Sequence, residues 1–206
     1  MVSPVVPGHD DGRVVIDVDG WASSNAWPVE HVPSPNHDPR PDDLEPSLIV
    51  IHNISLPPGR FGGRAIDALF TNTLDHDRHP YYAALVDLRV SSHFLIRRDG
   101  ALVQFVACGE RAWHAGVSSF AGRERCNDFS IGIELEGDDD SAFASPQYDT
   151  LITLVRAVTA RYPIDAIAGH SEIAPGRKTD PGPFFEWSRL MATMDPALRK
   201  TAPPML

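Results

Sequence analysis

The sequence predicts a single domain of the mixed α/β (α+β) class, with a central, mostly mixed β-sheet flanked by helices. Three segments of the 206 residues carry this prediction. Residues 47–52 hold four consecutive apolar residues, as is typical of a strand covered on both faces. Residues 93–107 place an Asp-Gly pair between two apolar runs, which favours a β-hairpin with a tight primed turn. Residues 145–161, with Ser145 as N-cap and Pro146 in the first turn, repeat apolar side chains at helical spacing.

The N-terminal quarter of the chain differs from the rest in composition. Residues 1–46 are rich in proline and aspartate, so they cannot hold long helices. We expect an arm packed on the body, which residues 47–206 form. One short strand is expected at residues 13–19, and Trp21 and Trp27 are the expected anchors of the arm.

The body continues with shorter elements. We expect helical stretches within residues 65–74 and 81–88, and a last short helix near residues 184–194. Residues 130–136 alternate apolar and polar side chains, which predicts a strand with one face in the core and the other facing solvent or a site. Residues 166–170 favour a short strand that ends in a histidine.

Charge and composition exclude several classes of partner. The chain has 18 Lys and Arg residues against 28 Asp and Glu residues, a formal charge of −10 at pH 7. Such a chain repels polyphosphates, so we expect neither nucleic acid nor a membrane as a partner. No apolar run reaches the ~20 residues that span a bilayer, and no export signal is recognisable, so we expect a cytoplasmic protein. We also expect a monomer, in which Cys108 and Cys126 are reduced and structural.

Two predicted strands end in histidines, and a carboxylate follows in a nearby loop. His52 and His170 are these histidines, and Asp180 comes ten residues after the second. Two histidines and a carboxylate are the ligand set of a catalytic zinc ion, with a fourth position left for water. Spacing alone leaves open that they are ordinary hydrogen-bonded residues. Residues 75–79 are richer in ligand types, but their polar context favours a solvated connector.

Other candidate residues surround this set in the sequence. Glu134 lies on the polar face of its strand, beside Ser130 and Gly132, which leave room for a ligand. A carboxylate there suits a general base on a metal-bound water, although a solvent-facing glutamate has the same pattern. Lys178 precedes Asp180 by two residues and is placed to stabilise a developing oxyanion.

Three further residues are candidates for pocket walls. His93 begins the predicted hairpin, and Trp113 and His114 precede a glycine turn. An aromatic side chain beside a histidine suits the wall of a pocket, and equally a plain core.

Four ordered motifs occur together in the chain, at residues 50–59, 111–116, 126–137 and 169–182. Together they resemble the zinc-dependent 1,6-anhydro-N-acetylmuramyl-L-alanine amidases of bacterial cell-wall recycling, the AmpD type. The resemblance extends over residues 21–187. It implies the fold that these amidases share with peptidoglycan recognition proteins.

The resemblance also implies roles for single residues. It places one zinc ion per chain on His52, His170 and Asp180, and catalytic roles on Glu134 and Lys178. The implied reaction is hydrolysis of the amide between the lactyl group of anhydro-N-acetylmuramic acid and the L-alanine of the stem peptide. In the implied mechanism a bound zinc ion would acidify a water, Glu134 would take its proton and pass it to the leaving amine, and Lys178 would help to hold the oxyanion.

The expected partner is a small anhydro-muropeptide, in contact with Asn53, Trp113 and His114. Its carboxylates require local positive charge in a chain that is acidic overall. The pair Arg123 and Arg125, just before the strand at 130–136, is the first choice for this role. The other arginines considered are Arg89, Arg97, Arg111 and Arg177.

Two other functions remain open on the sequence. The chain could be a non-catalytic muropeptide-binding module or sensor that uses the same groove. It could also be a zinc peptidase that cuts within the stem peptide. The complete ligand set, together with Glu134 and Lys178, favours the amidase.

Overall fold

The computed structural model describes residues 13–200, so the predictions for residues 1–12 and 201–206 lie outside the described residues. The strands are β1 (Val14–Ile16), β2 (Ala22–Ser24), β3 (Val29–His31), β4 (His37–Asp38), β5 (Leu48–Ile54), β6 (Phe94–Ile96), β7 (Leu102–Gln104), β8 (Arg111–Ala112), β9 (Ser119–Phe120), β10 (Arg123–Glu124), β11 (Ser130–Glu136), β12 (Ala166–Gly169) and β13 (Arg199–Lys200). The helices are α1 (Ala65–Phe70), α2 (Pro80–Ala83), α3 (Ser145–Arg161), α4 (His170–Ile173) and α5 (Trp187–Met191), with 3₁₀ turns at Pro41–Asp43 and Cys126–Phe129.

Seven strands form the central sheet, in the order β13-β12-β5-β11-β6-β7-β3. The first five of these strands are parallel to one another, whereas β6 and β7 are antiparallel and β3 is parallel to β7. The sheet is therefore mixed, which confirms the predicted fold class. No helix among residues 13–200 is both long enough and apolar enough to cross a membrane.

The central strand β5 is covered on both faces, as its run of apolar residues predicts. Ile49 and Ile51 pack with the buried face of α3, whereas Leu48 and Val50 pack into a second cluster on the opposite face. His52 continues the Leu48 and Val50 face, because side chains alternate along a strand. The end of β5 thus delivers His52 to the side of the sheet opposite α3.

The neighbouring strand β11 follows the same alternation. It pairs with β5 in parallel over seven residues, and this register sets Glu134 opposite His52. Ile131 and Ile133 lie in the core that contains α3. The polar face of β11 therefore lies on the same side of the sheet as His52.

Helix α3 begins one residue away from the predicted cap. Ala144, rather than Ser145, is the N-cap residue, and its backbone N–H donates to Oε1 of Gln147 at 3.0 Å. Gln147 thus satisfies the N–H of the N-cap residue, whereas a Ser145 cap would have accepted from the N–H groups of the first helical turn. The apolar repeat predicted for residues 145–161 is buried at Tyr148, Leu151, Leu154, Val155 and Val158, whereas Ile152 is only half-buried.

The hairpin between β6 and β7 is present, but its turn differs from the predicted primed turn. Arg97 N–H donates to Ala101 O at 2.9 Å, so three residues form the loop. Of the Asp99-Gly100 pair only Gly100 has a positive φ, 88°. This combination is a turn closed by a glycine bulge. Packing explains it, because Gly100 O accepts from Thr150 Oγ1 and a side chain on Gly100 would collide with Pro146.

The described part of the arm is built into the body. Val14 and Ile16 of β1 are buried in the core with α3, and β3 pairs with β7 at the edge of the central sheet. The helices expected within residues 65–74, 81–88 and 184–194 are present but short, and α5 begins at Trp187, later than predicted. The two-residue strands were not predicted, because a strand of two residues shows no alternation.

Candidate active site

Three metal-ligand side chains meet at the carboxyl ends of the parallel strands. His52 comes from β5, His170 follows β12 as the first residue of α4, and Asp180 comes from the loop after α4. The His52 Nδ1 lies 2.9 Å from His170 Nδ1 and 3.1 Å from Asp180 Oδ2, and the third edge of this triangle is 3.0 Å. Both histidines are buried, and this is the one group of potential metal ligands found within residues 13–200.

The chemistry of these donor atoms fits a zinc ion. His170 Nε2 lies 3.1 Å from Ala115 O, which is an acceptor only, so the ring proton of His170 is on Nε2 and its Nδ1 carries a lone pair. Burial and the neighbouring His170 lower the pKa of His52 to about 4, so His52 is neutral and available as a ligand. Ligands of one zinc ion lie roughly 3.3 Å apart, close to the distances observed here.

Glu134 lies beside this triangle with an unusual lack of partners. Its side chain is buried, and its Oε2 has no hydrogen-bond partner among the described residues. Burial and the charge of Asp180 raise the pKa of Glu134 well above its usual value, against the opposing charge of Lys178. A buried carboxylate oxygen without a protein partner is costly, and such groups cluster at functional sites.

A cleft of about 590 Å³ opens over these residues. Lys178 is exposed in the loop between His170 and Asp180 and lines this cleft, as do Asn53 and Trp113. The described lining includes no arginine, and its main members are His52, Asn53, Leu56, Tyr81, Leu85, Leu88, Val90, Trp113, His114, Glu134, Asp138, Asp139, His170, Lys178 and Asp180.

Comparison with known proteins identifies the family of this chain. Residues 42–183 match the family described as N-acetylmuramoyl-L-alanine amidase. The chain belongs to this amidase family. The 1,6-anhydro-N-acetylmuramyl-L-alanine amidase AmpD of Citrobacter freundii is 57% identical over 184 residues, which are 88% of this chain and 96% of that protein. AmpD of Escherichia coli K12 is 61% identical over 163 residues, 78% of this chain and 89% of that protein.

Solved structures of amidases agree in fold. A crystal structure of a selenomethionine AmpD derivative superposes with a TM-score of 0.83 at 57% identity, covering 88% of this chain and 99% of that chain. A structure of Escherichia coli AmiD in complex with anhydro-N-acetylmuramic acid-L-Ala-D-γ-Glu-L-Lys has a TM-score of 0.53 at 30% identity, covering 87% of this chain and 65% of that chain. Both the predicted family and the predicted amidase fold are confirmed.

Two of the amidase's expected substrate contacts lie in the cleft with defined partners. The side-chain amide of Asn53 donates to Asp139 Oδ1 at 2.7 Å. The indole N–H of Trp113 donates to Asp38 Oδ1 at 3.2 Å, and the ring is half-buried. Both side chains are thus held in place at the cleft, as a rigid wall requires.

His114 also lines the cleft, and its ring is hydrogen-bonded within the protein. Its ring is buried at the bottom of the cleft, with Nδ1 2.9 Å from His52 Nε2 and Nε2 3.2 Å from Ser130 Oγ. A side chain on Gly132 would lie 2.5 Å from the His114 ring. The space that the sequence suggested for a ligand beside Ser130 and Gly132 is therefore filled by His114.

The two predicted carboxylate-binding arginines are separated in the amidase. Arg123 stacks over the Phe129 ring and donates to Ser47 Oγ at 3.1 Å, at the amino end of β5, so the structure does not bring it to the cleft. Arg125 pairs with Asp128 at 3.1 Å and lines a second groove with Arg177. The sequence could not separate the two positions, because an arginine-rich turn has the same composition whether its side chains line a groove or pack elsewhere on the surface.

The remaining candidates have structural partners. Among the other arginines, Arg97 pairs with Asp67, and Arg111 with Asp38 and Asp128. His93 is buried and its Nδ1 accepts from Gly132 N–H. The residues 75–79 do not converge; His76 contacts Tyr82 O and His79 accepts from Tyr81 N–H as the cap of α2.

Sequence reasoning missed one wall of the cleft. Tyr81, Leu85, Leu88 and Val90 line it, and Tyr81 and Leu88 are exposed. Their signal was weak, because apolar residues in a short helical stretch are usually assigned to a core. Exposed apolar side chains next to buried polar groups are typical of a ligand-binding cleft.

Proposed function

We propose that the chain uses one zinc ion to hydrolyse the amide between 1,6-anhydro-N-acetylmuramic acid and the L-alanine of the stem peptide, in peptidoglycan recycling. The observation that carries the proposal is the meeting of His52 Nδ1, His170 Nδ1 and Asp180 Oδ2 within 3.1 Å, next to the buried carboxylate of Glu134. The activity named for the AmpD relatives supports the same reaction. We further propose a cytoplasmic monomer, which cell fractionation and light scattering test.

The metal would be held by the two buried histidines and Asp180. When bound, zinc supplies a Lewis acid and an acidified water, which is the chemistry that amide hydrolysis needs at neutral pH. The protein's own contribution is to keep three ligand side chains in place. Two of them are fixed at ends of adjacent parallel strands, because β12 and β5 pair in register up to Gly169 and Ile51.

Glu134 is the group that moves protons in this proposal. The register of β11 on β5 places it opposite His52, so it is within the same small space as the ligands. It accepts the proton of the attacking water and delivers it to the leaving amine. Its Oε2 fits this role, because no hydrogen bond from the described residues engages its lone pairs.

Lys178 is the positive group at the open side of the cleft. It lines the cleft, and in this proposal its ammonium stabilises the negative charge that develops on the amide oxygen during attack, which lowers the barrier. The apolar wall formed by Tyr81, Leu85 and Leu88 supports binding of the sugar. A related amidase, AmiD, has been solved with an anhydro-muramyl tripeptide, so the substrate class suits this family.

The test is product identification on a defined anhydro-muropeptide, with the zinc content measured on the same sample. We expect about one zinc per chain, and products whose masses are those of the anhydro sugar and the intact peptide. Removal of zinc by a chelator, or His170→Ala, should abolish turnover. Full activity without metal would contradict the proposal, tight binding without cleavage would favour a binding module, and cleavage within the peptide a peptidase.

A further inference from the structure

A chain of hydrogen bonds runs from the candidate metal ligand His52 into the protein interior. Ser130 Oγ donates to Cys126 O at 2.6 Å, and this uses the only proton of the hydroxyl. Ser130 Oγ must therefore accept from His114 Nε2–H, which lies at 3.2 Å. His114 then carries a lone pair on Nδ1, and this nitrogen accepts from His52 Nε2–H at 2.9 Å.

This chain of hydrogen bonds determines whether the other ring nitrogen of His52, Nδ1, carries a proton. A neutral imidazole carries one ring proton, so a proton held on Nε2 leaves the lone pair of Nδ1 free. Nδ1 is the atom that faces His170 and Asp180. The direction of the whole chain is fixed at its far end by a backbone carbonyl, Cys126 O, which can only accept.

Ala115, the residue after His114, fixes the ring proton of the second histidine, His170, in the same way. Ala115 O accepts from His170 Nε2–H at 3.1 Å, which leaves His170 Nδ1 free. The backbone N–H groups of His114 and Ala115 both donate to Asn127 Oδ1, at 3.2 and 2.8 Å. One dipeptide, anchored by one buried amide side chain, is thus in contact with both histidines.

We propose that His114 and Ser130 are positioning residues of the zinc site, which hold His52 in the tautomer and ring orientation that bind metal. This inference rests on the proposed zinc site. Its basis is the closure of the chain, since all three side chains are buried and every proton in it has one donor and one acceptor. Partners of this kind typically account for 10–100-fold in metal affinity or activity.

The space around His114 is consistent with a fixed ring. Gly132 lies directly beneath it, and any side chain there would come within 2.5 Å of the ring. His52 meets His114 edge to face, with ring centroids 5.0 Å apart. A rotated His114 would lose both of its hydrogen bonds at once.

The test compares two substitutions of similar size, His114→Leu and His114→Asn. The asparagine can keep an acceptor near the position of Nδ1, whereas leucine has none. On the full-length chain, we expect His114→Leu to weaken zinc binding by about 10–100-fold in competition with a chelator, and His114→Asn to stay within about threefold of the wild type. Ser130→Ala should weaken binding by about threefold to tenfold. Ser92→Ala is the matched control, because Ser92 is buried and its Oγ has no hydrogen-bond partner within residues 13–200.

A second measurement separates positioning from simple stability. In metal-free protein with ¹⁵N-labelled histidine, long-range ¹H–¹⁵N NMR should show His52 protonated on Nε2 in the wild type and in His114→Asn. In His114→Leu we expect the other tautomer to become populated. Unchanged zinc affinity and an unchanged His52 tautomer in both His114→Leu and Ser130→Ala would overturn the inference. If the wild type binds no zinc, the proposed function fails, whereas the NMR comparison still decides the tautomer.

Discussion

The floor and the rim of the cleft are built in different ways. The floor consists of His52, His114, Glu134 and His170, all buried, and each is set by strand register or by a hydrogen bond to its neighbour. The rim consists of Tyr81, Leu88 and Lys178, all exposed. The two parts should respond differently to substitution, because buried groups have no room to adjust to a changed neighbour and exposed groups do. We expect changes in the floor to affect metal and chemistry, and changes in the rim to affect substrate handling.

Among changes in the floor that should leave the zinc in place, Glu134→Gln has the largest expected effect on rate. The amide cannot take a proton from water, so kcat should fall by on the order of 10²–10⁴, the usual contribution of general acid–base catalysis. Zinc content and KM should stay close to those of the wild type, because Glu134 is not a proposed ligand. Steady-state kinetics and metal analysis of the same preparation check this. Loss of zinc with the rate would show instead that Glu134 supports the metal site.

Lys178→Met changes the rim while keeping the length of the side chain. Because the ammonium is proposed to act on charge that develops in the transition state, kcat should fall by about 10²-fold, and KM should change much less. We expect a smaller fall in kcat than for Glu134→Gln, because Lys178 is exposed and Glu134 is buried. A change confined to KM would reassign Lys178 to binding of a substrate carboxylate in the ground state.

The floor was largely predictable from the sequence, and the reason is the regular alternation of strands. Apolar residues in β5 and β11 fixed which face meets the core, so His52 and Glu134 had to lie on the other face. Asp180 and Lys178 could not be placed in this way, because they come from a loop whose path depends on packing. The resemblance of the motifs supplied their roles.

The space beside Ser130 and Gly132 is where the pattern gave the wrong interpretation. Small residues at 130 and 132 correctly indicated free space beside Glu134, but a protein side chain occupies it, not a ligand. The sequence could not distinguish the two, because His114 is distant in the chain and comes from an irregular loop. The prediction of a primed turn at Gly100 was wrong for the same reason, because the form of the turn is set by contact with Pro146, which is distant in the chain.

Sugar recognition tests the apolar part of the rim. The anhydro sugar is compact and lacks the reducing-end hydroxyl, so an apolar wall should favour it over the ordinary reducing sugar, by roughly tenfold or more in kcat/KM. Leu88→Ser should reduce this preference and leave zinc binding unchanged. Two substrates that differ only in the sugar ring, assayed side by side, give the ratio. Equal rates in the wild type, or rapid release of peptides from intact wall, would point to a general wall amidase.

The smallest expected effects distinguish Arg125 from Arg123. Arg125 is exposed and lines a groove with Arg177, which shares the Ala115 carbonyl with His170, so it remains a proposed contact for a carboxylate of the stem peptide. Arg123 lies near the amino end of β5, away from the ligands. We expect Arg125→Ala to raise KM by about threefold to tenfold, as loss of one exposed charged hydrogen bond would, with little change in kcat.

Arg123→Ala is the matched control for that measurement. Its stacking on Phe129 is worth only about 0.5–1 kcal/mol at an exposed site, so the melting temperature should fall slightly and kcat/KM should stay within about twofold. The comparison is made on one anhydro-muropeptide with the full stem and one with L-alanine alone. The effect of Arg125→Ala should vanish on the short substrate, because no distal carboxylate remains to be bound. An equal rise in KM for both arginine variants on the long substrate would show that the two act together, and that the peptide extends further from the cleft than the division between floor and rim implies.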